Sequence, residues 1–299
     1  MRKTLGQNLC TAAAILLLSL GAVAILFSSC MPRPARPRRI SLLPPEADIR
    51  LARRVSADIA HSRPEFTVTT TGRGRWLNAE GIPVTGSSDG PWQVESRDGR
   101  LLLDGKPQDT EVLELRVKDG LFGIGSREYR GHLRVTALED GRFIVRNDVA
   151  TEDYLRSVVG REVYTSWHEQ ALLAQAVTAR TYLIYALGGR DHLSRADMAY
   201  HGVGEEHPAT DDAVRQTAGI IITYGGRILP AYFQSTCGGH TMPVEDFTDR
   251  LMPMEPLKGV DCNYCAISPQ YRWDTRVPAQ QVAAGLRESG LLKVDRVHS

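Results

Sequence analysis

The chain has almost no excess charge and few cysteines, and these shortages exclude several classes of protein. Its 36 lysine and arginine residues face 35 aspartate and glutamate residues, so the formal net charge is +1 at pH 7. A nearly neutral chain has no long-range field that attracts polyanions, so we expect no nucleic-acid partner. With only 5 cysteines in 299 residues, a small disulfide scaffold is excluded. A hydrophobic content of 42% excludes a disordered chain, and the length predicts about two domains.

Long hydrophobic runs are missing outside the N-terminal segment. There, a basic start precedes an apolar run, residues 11–27, that suits a signal-peptide core and is marginal for a membrane span. Ser28 and Ser29 then precede Cys30, which is similar to the lipobox of bacterial lipoproteins. We interpret residues 1–30 as a signal peptide with a lipobox and Cys30 as a lipidation site. The alternatives are an uncleaved anchor helix and ordinary cleaved secretion. All three place the remaining chain outside the cytoplasm, and the lipobox predicts a membrane-anchored lipoprotein of the bacterial cell envelope.

Two segments of different composition follow. Residues 31–48 interleave arginine and proline, a composition that favours extended polyproline II structure and a linker. Residues 49–145 have the pattern of antiparallel β structure, because short apolar runs are separated by Asp-Gly pairs. Asp-Gly favours hairpin turns, since both central residues of such a turn need positive φ. The pairs are Asp98-Gly99, Asp104-Gly105, Asp119-Gly120 and Asp140-Gly141.

From Thr151 onward the pattern becomes helical. Thr151 is the predicted N-cap of a first helix, and Ser166 with Glu169 fits a capping box for a second helix that continues to Leu187. Residues 190–208 are polar, rich in histidine and without a period, which predicts an irregular excursion. A short helix capped at Thr210 and a β-hairpin at residues 225–226 follow. The patterns together predict an α+β fold with an antiparallel β-rich N-terminal part, a helical core and a β-hairpin and loop region.

Cys237, His240, Cys262 and Cys265 have the spacing of a structural zinc site. They form a C-x2-H pair and a C-x2-C pair, and two residues between ligands allow one turn to present both to the same ion. Three cysteines remain after Cys10 and Cys30 are set aside, an odd number that cannot all form disulfides. A Cys262–Cys265 or Cys237–Cys262 disulfide with one free thiol is the alternative.

Glu162 is a candidate general acid at the junction of the two predicted helices. Apolar neighbours, among them Val158, Val159 and Trp167, predict partial desolvation of its carboxyl, and desolvation favours the protonated form that a general acid needs. A helix cap or an ion-pair partner is the structural alternative for a glutamate in this place.

A set of motifs in one order resembles the stage II sporulation protein D family, whose domain is also described as amidase-enhancer-like. The resemblance covers roughly residues 110–275, and it predicts a domain of that type over residues 110–299. The motifs are residues 154–162 (YLRSVVGRE), 166–167 (SW), 174–182 (AQAVTARTY), 235–239 (STCGG) and 268–273 (SPQYRW).

The resemblance implies a lytic transglycosylase that acts on peptidoglycan glycan strands, especially strands stripped of stem peptides. It places the catalytic glutamate at Glu162 and implies no cofactor for the chemistry. Gln175 and Arg180 match the central helix of the family and are candidates for shaping or charging the cleft, although Arg180 could equally be a buried structural partner. Tyr232 and Tyr271 are candidate sugar-stacking surfaces, with core packing as the alternative.

Two other functions remain as alternatives. One is a non-catalytic module of the cell envelope that binds glycan or activates a cell-wall amidase, which would tolerate loss of Glu162. The other is a zinc hydrolase that uses the cysteine and histidine ligands. The sequence disfavours it, because it contains no H-E-x-x-H motif or similar open-site motif.

Overall fold

The computed structural model describes residues 54–61, 65–188, 190–195, 197–248, 251 and 253–288. The predicted signal segment, Cys30 and the proline-arginine linker lie outside the described residues. Within the described part of the chain, no helix combines the length and the apolar character needed to cross a membrane.

The N-terminal part consists of two antiparallel sheets, as the alternating pattern predicted. A five-stranded sheet has the order β1-β11-β10-β7-β3, and a six-stranded sheet has the order β6-β5-β4-β2-β8-β9. The strands are β1 (Arg54–His61), β2 (Glu65–Thr70), β3 (Arg73–Leu77), β4 (Trp92–Arg97), β5 (Arg100–Leu103), β6 (Lys106–Pro107), β7 (Val112–Lys118), β8 (Phe122–Ile124), β9 (Arg127–Tyr129), β10 (His132–Ala137) and β11 (Phe143–Ala150).

The Asp-Gly pairs do not all make the predicted turn. Asp98-Gly99 and Asp104-Gly105 have positive φ at both residues and connect paired neighbouring strands, as expected. In the turn between β10 and β11 only Gly141 has positive φ. The hairpin predicted at Asp119-Gly120 is wrong, because this turn carries the chain from β7 in one sheet to β8 in the other.

The two sheets share a hydrophobic core formed by alternate residues of their strands. Trp76 of β3 and Trp92 of β4 meet edge to face, with ring centroids 6.1 Å apart. Leu113 and Leu115 of β7 are fully buried in the same core, as is Val94 of β4. The period of two therefore gives each sheet one apolar face, and these faces pack together.

Within the described residues, five α-helices follow strand β11, so the α+β class is confirmed. They are α1 (Thr151–Glu162), α2 (Glu169–Leu187), α3 (Pro208–Gln216), α4 (Val244–Phe247) and α5 (Ala279–Glu288). Helix α1 begins directly after β11. A second hydrophobic core joins α1, α2 and α3 to β1 and β11, with Leu155, Val158 and Leu183 fully buried. A two-stranded hairpin, β12 (Thr223–Tyr224) and β13 (Arg227–Ile228), turns at two glycines with positive φ, as predicted.

The predicted helix caps were wrong. Thr151 is the first helical residue of α1 rather than its N-cap. Helix α2 is capped by His168, whose Nδ1 accepts the N–H of Gln170 at 3.2 Å, and not by Ser166. Helix α3 is likewise capped by His207 instead of Thr210. An imidazole nitrogen can accept an amide N–H as a serine oxygen does, so the histidines fill the same role.

The irregular segment, defined here as residues 190–207, is fixed to the regular elements at several points. Near its start, Leu193 is buried and pairs with β1, donating its N–H to the carbonyl of Ser56 at 2.8 Å. Near its end, the backbone of Glu205 lies directly against Gly160 of α1, so that a Cβ at position 160 would overlap the carbonyl oxygen of Glu205. Gly160 therefore serves close packing, although glycine weakens a helix.

The variant Gly160→Ala is expected to lower the free energy of unfolding by about 1–3 kcal/mol, because a backbone oxygen cannot move away as a side chain could. Gly285→Ala is the matched control. It also lies in a helix, but nothing stands within 4 Å of its added Cβ, so it should be neutral or slightly stabilising. Urea unfolding of the full chain in mild detergent measures both. Equal stabilities for the two variants would contradict the packing role of Gly160.

Candidate functional site

Glu162 is the last residue of α1 and is exposed to solvent. Its Oε1 accepts the backbone N–H of Ala199 at 3.1 Å. The partial desolvation predicted for its carboxyl is therefore wrong. Val158 and Val159 are fully buried, but α1 ends beyond them and leaves the carboxylate at the surface. The glutamate is held in place by the irregular segment rather than enclosed by apolar side chains.

An exposed aromatic pair follows Glu162 in the connection between α1 and α2. Tyr164 is 72% exposed and Trp167 is 48% exposed, and their ring centroids are 6.0 Å apart. The sequence pattern predicted Trp167 only as an apolar neighbour of Glu162 and as part of a family motif, and the exposed pair was missed. The sequence does contain a signal for an exposed pair, namely two aromatic residues in a short connection between helices. Such connections lie on the surface.

The part of the irregular segment that contacts Glu162 is anchored on both sides of Ala199. Asp197 accepts bonds from Arg190 and from the N–H and hydroxyl of Ser194. Burial alone would raise the pKa of Asp197, but the Arg190 and Ser194 donors outweigh it and hold the pKa below its ordinary value. On the other side, the N–H of His201 donates to the Ser157 hydroxyl on α1 at 3.3 Å. The amide that holds Glu162 is thus fixed before any ligand binds.

A charged network attaches the end of the irregular segment to α1 and to the five-stranded sheet. Arg130 donates two hydrogen bonds to the carboxylate of Glu206, at 2.8 and 2.9 Å. Arg156 of α1 lies 2.7 Å from the same carboxylate and 2.6 Å from Asp211 of α3. The Glu206 side chain is only 8% exposed, so its two arginine partners compensate a charge that is largely removed from water.

Tyr154 and Tyr200 form a buried aromatic contact beneath this surface, with ring centroids 4.4 Å apart. The hydroxyl of Tyr200 donates to Asn147 of β11, and the amide of Asn147 donates to the carbonyls of Arg130 and His132. Burial raises the pKa of both tyrosines well above the ordinary value, so both remain neutral. Tyr154 is buried and Tyr200 is half-buried, and their contact positions the segment on α1.

Arg180 does not lie in a surface cleft. Its guanidinium is 1% exposed and makes a two-point contact with Glu152 of α1, at 2.8 and 2.6 Å. It also donates to the carbonyls of Val214 and Ile220. Arg180 therefore joins α1, α2 and the end of α3, so its assignment to the substrate cleft is corrected in favour of the structural alternative. Gln175, on the same helix, is half-buried.

Tyr232 and Tyr271 both pack against other residues of the chain. The ring of Tyr232, 39% exposed, packs against Tyr182 of α2 and Phe247 of α4, with centroids 5.5 and 4.8 Å away. Tyr232 and Phe247 line an apolar groove together with Met242 and Val260. Tyr271 is half-buried with its hydroxyl against the backbone of Gly239. Both rings therefore have packing contacts, and their role as sugar-stacking surfaces stays a prediction.

The structure brings together three of the four predicted metal ligands. The sulfur atoms of Cys237, Cys262 and Cys265 all lie within 4.8 Å of one another. His240 is outside this group, and its Nε2 lies 3.9 Å from Asp261 Oδ1 with the side chain 54% exposed. The N–H of Cys237 donates to the sulfur of Cys265, and this bond together with the Cys237 thiol lowers the pKa of Cys265 to about 7. The three cysteines are not joined by disulfides.

Comparison with known proteins identifies the helical part of the chain. Residues 139–224 match the SpoIID family model, described as stage II sporulation protein. The match includes α1, α2 and α3 and contains Glu162. This segment is a domain of the SpoIID family, which confirms the resemblance carried by its motifs.

Three curated relatives agree with this assignment. The chain is 32% identical over 162 residues to an uncharacterized protein of Brachyspira hyodysenteriae, covering 52% of this chain and 43% of that protein. It is 37% identical over 87 residues to the amidase enhancer of Bacillus subtilis, covering 29% of this chain and 12% of the relative. It is 27% identical over 146 residues to stage II sporulation protein D of Bacillus subtilis, covering 42% of each chain. The chain thus spans less than half the length of each of these relatives.

The variant Arg180→Met is expected to lower the free energy of unfolding by about 2–4 kcal/mol, because Glu152 and two carbonyls lose their donor. Arg215→Met is the matched control. Its side chain is 75% exposed beside Asp212, and losing this surface pair should cost less than about 1 kcal/mol. Chemical unfolding, monitored by circular dichroism, measures the free energy of unfolding of both variants. A small and equal loss in both variants would contradict the structural role of Arg180.

Proposed function

We propose that the protein is a peptidoglycan lytic transglycosylase that cleaves glycan strands, preferably strands stripped of their peptides, with Glu162 as its general acid and base. The observation that carries the proposal is the Glu162 carboxylate, exposed in the SpoIID domain and fixed by the Ala199 amide. A fixed, solvent-facing carboxylate is accessible to a long polymer, which could not enter a closed pocket.

The chemistry explains how one carboxyl group can suffice. Most glycosidases use two carboxyl groups, because a water molecule or the enzyme attacks the sugar. In a lytic transglycosylase the 6-hydroxyl of the muramic sugar attacks its own anomeric carbon. Glu162 would protonate the leaving glycosidic oxygen and then accept the proton of that hydroxyl. The C–O bond to the leaving sugar breaks, an intramolecular C–O bond forms, and the product is an anhydro-muramic end.

The exposed rings of Tyr164 and Trp167, which follow Glu162 closely in the chain, would provide a surface for the sugars. Sugar rings have apolar C–H faces that pack on aromatic rings, and the hydroxyls at their edges remain available for hydrogen bonds. A glycan strand lying on these rings would also displace water from the neighbouring carboxylate.

A second candidate function is activation of a cell-wall amidase by a non-catalytic, glycan-binding module. One relative carries the name amidase enhancer, and its similarity to this chain covers 87 residues. The same exposed aromatic pair would serve such a module, but the proton transfer by Glu162 would have no part in it. An amidase is also a plausible partner of the catalytic function, since removal of stem peptides supplies the stripped strands.

We also propose that the protein acts in the bacterial cell envelope as a lipoprotein anchored through Cys30. The support is in the sequence, where an apolar run and two small residues precede this cysteine. A lipid anchor would keep the SpoIID domain next to the glycan strands.

The variant Glu162→Gln is expected to lower the rate of glycan cleavage by about 100-fold or more, because an amide cannot transfer the proton. The control is Glu139→Gln, an exposed glutamate in the turn between β10 and β11, which should cleave at the wild-type rate. The full chain in mild detergent is incubated with peptide-stripped glycan, and mass spectrometry measures anhydro-muramic ends. If wild-type protein and both variants bind glycan but none cleaves it, the catalytic proposal is overturned in favour of the binding module.

The variant Tyr164→Ala should weaken glycan binding by about 5–30-fold, the loss of roughly 1–2 kcal/mol of apolar contact. Tyr264→Ala is the control, since Tyr264 is 87% exposed but lies between Cys262 and Cys265. Sedimentation with insoluble glycan measures both affinities. Equal weakening by the two variants would contradict a specific role for the pair at Tyr164 and Trp167.

A further inference from the structure

The C-terminal loop segment, defined here as residues 253–282, has almost no hydrophobic core of its own. None of these residues is buried, and the first buried residue after them is Ala283. Tyr264 and Ile267 are 87% and 93% exposed. Since apolar burial is the main source of stability in a folded segment, something other than packing must hold this one in a defined place.

This segment is connected to the chain before it at the three cysteines. Cys262 and Cys265 meet Cys237, which belongs to the loop after β13. The sulfur of Cys265 is 3.3 Å from that of Cys237 and 3.7 Å from that of Cys262. Two backbone hydrogen bonds also join the loops. Cys262 N–H donates to Gly239 O and Thr241 N–H donates to Val260 O, both at 2.9 Å.

These sulfur positions are close to those of a tetrahedral metal site. A zinc–sulfur bond of about 2.3 Å places neighbouring sulfur atoms of a tetrahedron roughly 3.8 Å apart. Two of the observed distances, 3.3 and 3.7 Å, are at or slightly below that value, and the third is no more than 4.8 Å. A disulfide needs about 2.05 Å and can join only two of the three sulfurs. A metal ion can bind all three sulfur atoms, and thiolate ligands in this geometry are typical of zinc.

We propose that Cys237, Cys262 and Cys265 bind one zinc ion as thiolates, and that this ion fixes the C-terminal loop segment to the loop after β13. The ion is structural, because it replaces the missing hydrophobic core of the segment. His240 is not among the ligands that hold it, since its ring lies outside the group of sulfurs. The proposal is independent of the function proposed for Glu162.

Metal analysis of the full chain tests the proposal. The protein is purified in mild detergent with zinc in the growth medium, and inductively coupled plasma mass spectrometry measures bound metals. We expect one zinc per chain in the wild type and near-complete loss of zinc in Cys262→Ser and in Cys265→Ser. His240→Gln is the matched control and should keep its zinc. Loss of zinc from His240→Gln equal to that from the cysteine variants would overturn the three-cysteine assignment.

A second measurement covers the case in which the cysteine variants fold poorly. Wild-type protein is treated with a chelator, and limited proteolysis with peptide mass spectrometry locates the cleavage sites. We expect cleavage to increase at residues 253–282 while the β-rich part stays protected, and added zinc should restore protection. Alkylation of the protein before reduction measures how many of the three cysteines are free thiols. A disulfide between any two of the three cysteines, or three free thiols in a chain that holds no zinc, would overturn the proposal.

Discussion

The buried carboxylate of Glu206 is the contact on which the position of the candidate site depends. It accepts two hydrogen bonds from Arg130, just before β10, and lies 2.7 Å from Arg156 of α1. Because removing one partner from a buried charge is costly, both arginines must keep their positions relative to Glu206. The sheet, the first helix and the irregular segment are thereby tied at one point. Gly160 completes this junction by allowing the backbone at Glu205 to approach α1.

The same junction explains how an irregular segment can hold a functional carboxylate. Residues 190–207 have no regular secondary structure over most of their length, yet Leu193 pairs with β1, Asp197 is bonded by Arg190, and Glu206 is bonded by two arginines. The Ala199 amide lies between these fixed points and donates to Glu162. Catalytic groups on loops need such support, because small displacements of a reacting group reduce its effect strongly.

The sequence predicted those features that depend on periodicity and on local turn chemistry. Alternation predicted the β-rich part, apolar spacing predicted α1 and α2, and two glycines predicted the hairpin after α3. The predicted caps of α2 and α3 were wrong because an imidazole nitrogen, at His168 and at His207, takes the place expected for a serine or threonine oxygen. The predicted cap of α1 was wrong because Thr151 is itself the first helical residue. The predictions that Glu162 is desolvated and that Arg180 lies in the cleft were wrong for another reason. The exposure of Glu162 depends on where α1 ends, and the burial of Arg180 depends on its contacts with Glu152 and with the end of α3. Long-range packing of this kind leaves no repeat in the sequence.

An exposed Glu162 has a consequence for how such an acid can work. An enzyme acting on a small molecule usually keeps its proton donor in an apolar pocket, which favours the neutral form before the substrate arrives. Here the carboxylate faces water, so the change of environment must come from the substrate. In the proposed function, a glycan strand that packs on Tyr164 and Trp167 would cover the carboxylate. Cleavage would then require bound sugars beyond the two at the bond that breaks, and the binding energy of these remote sugars would contribute to the rate as well as to affinity.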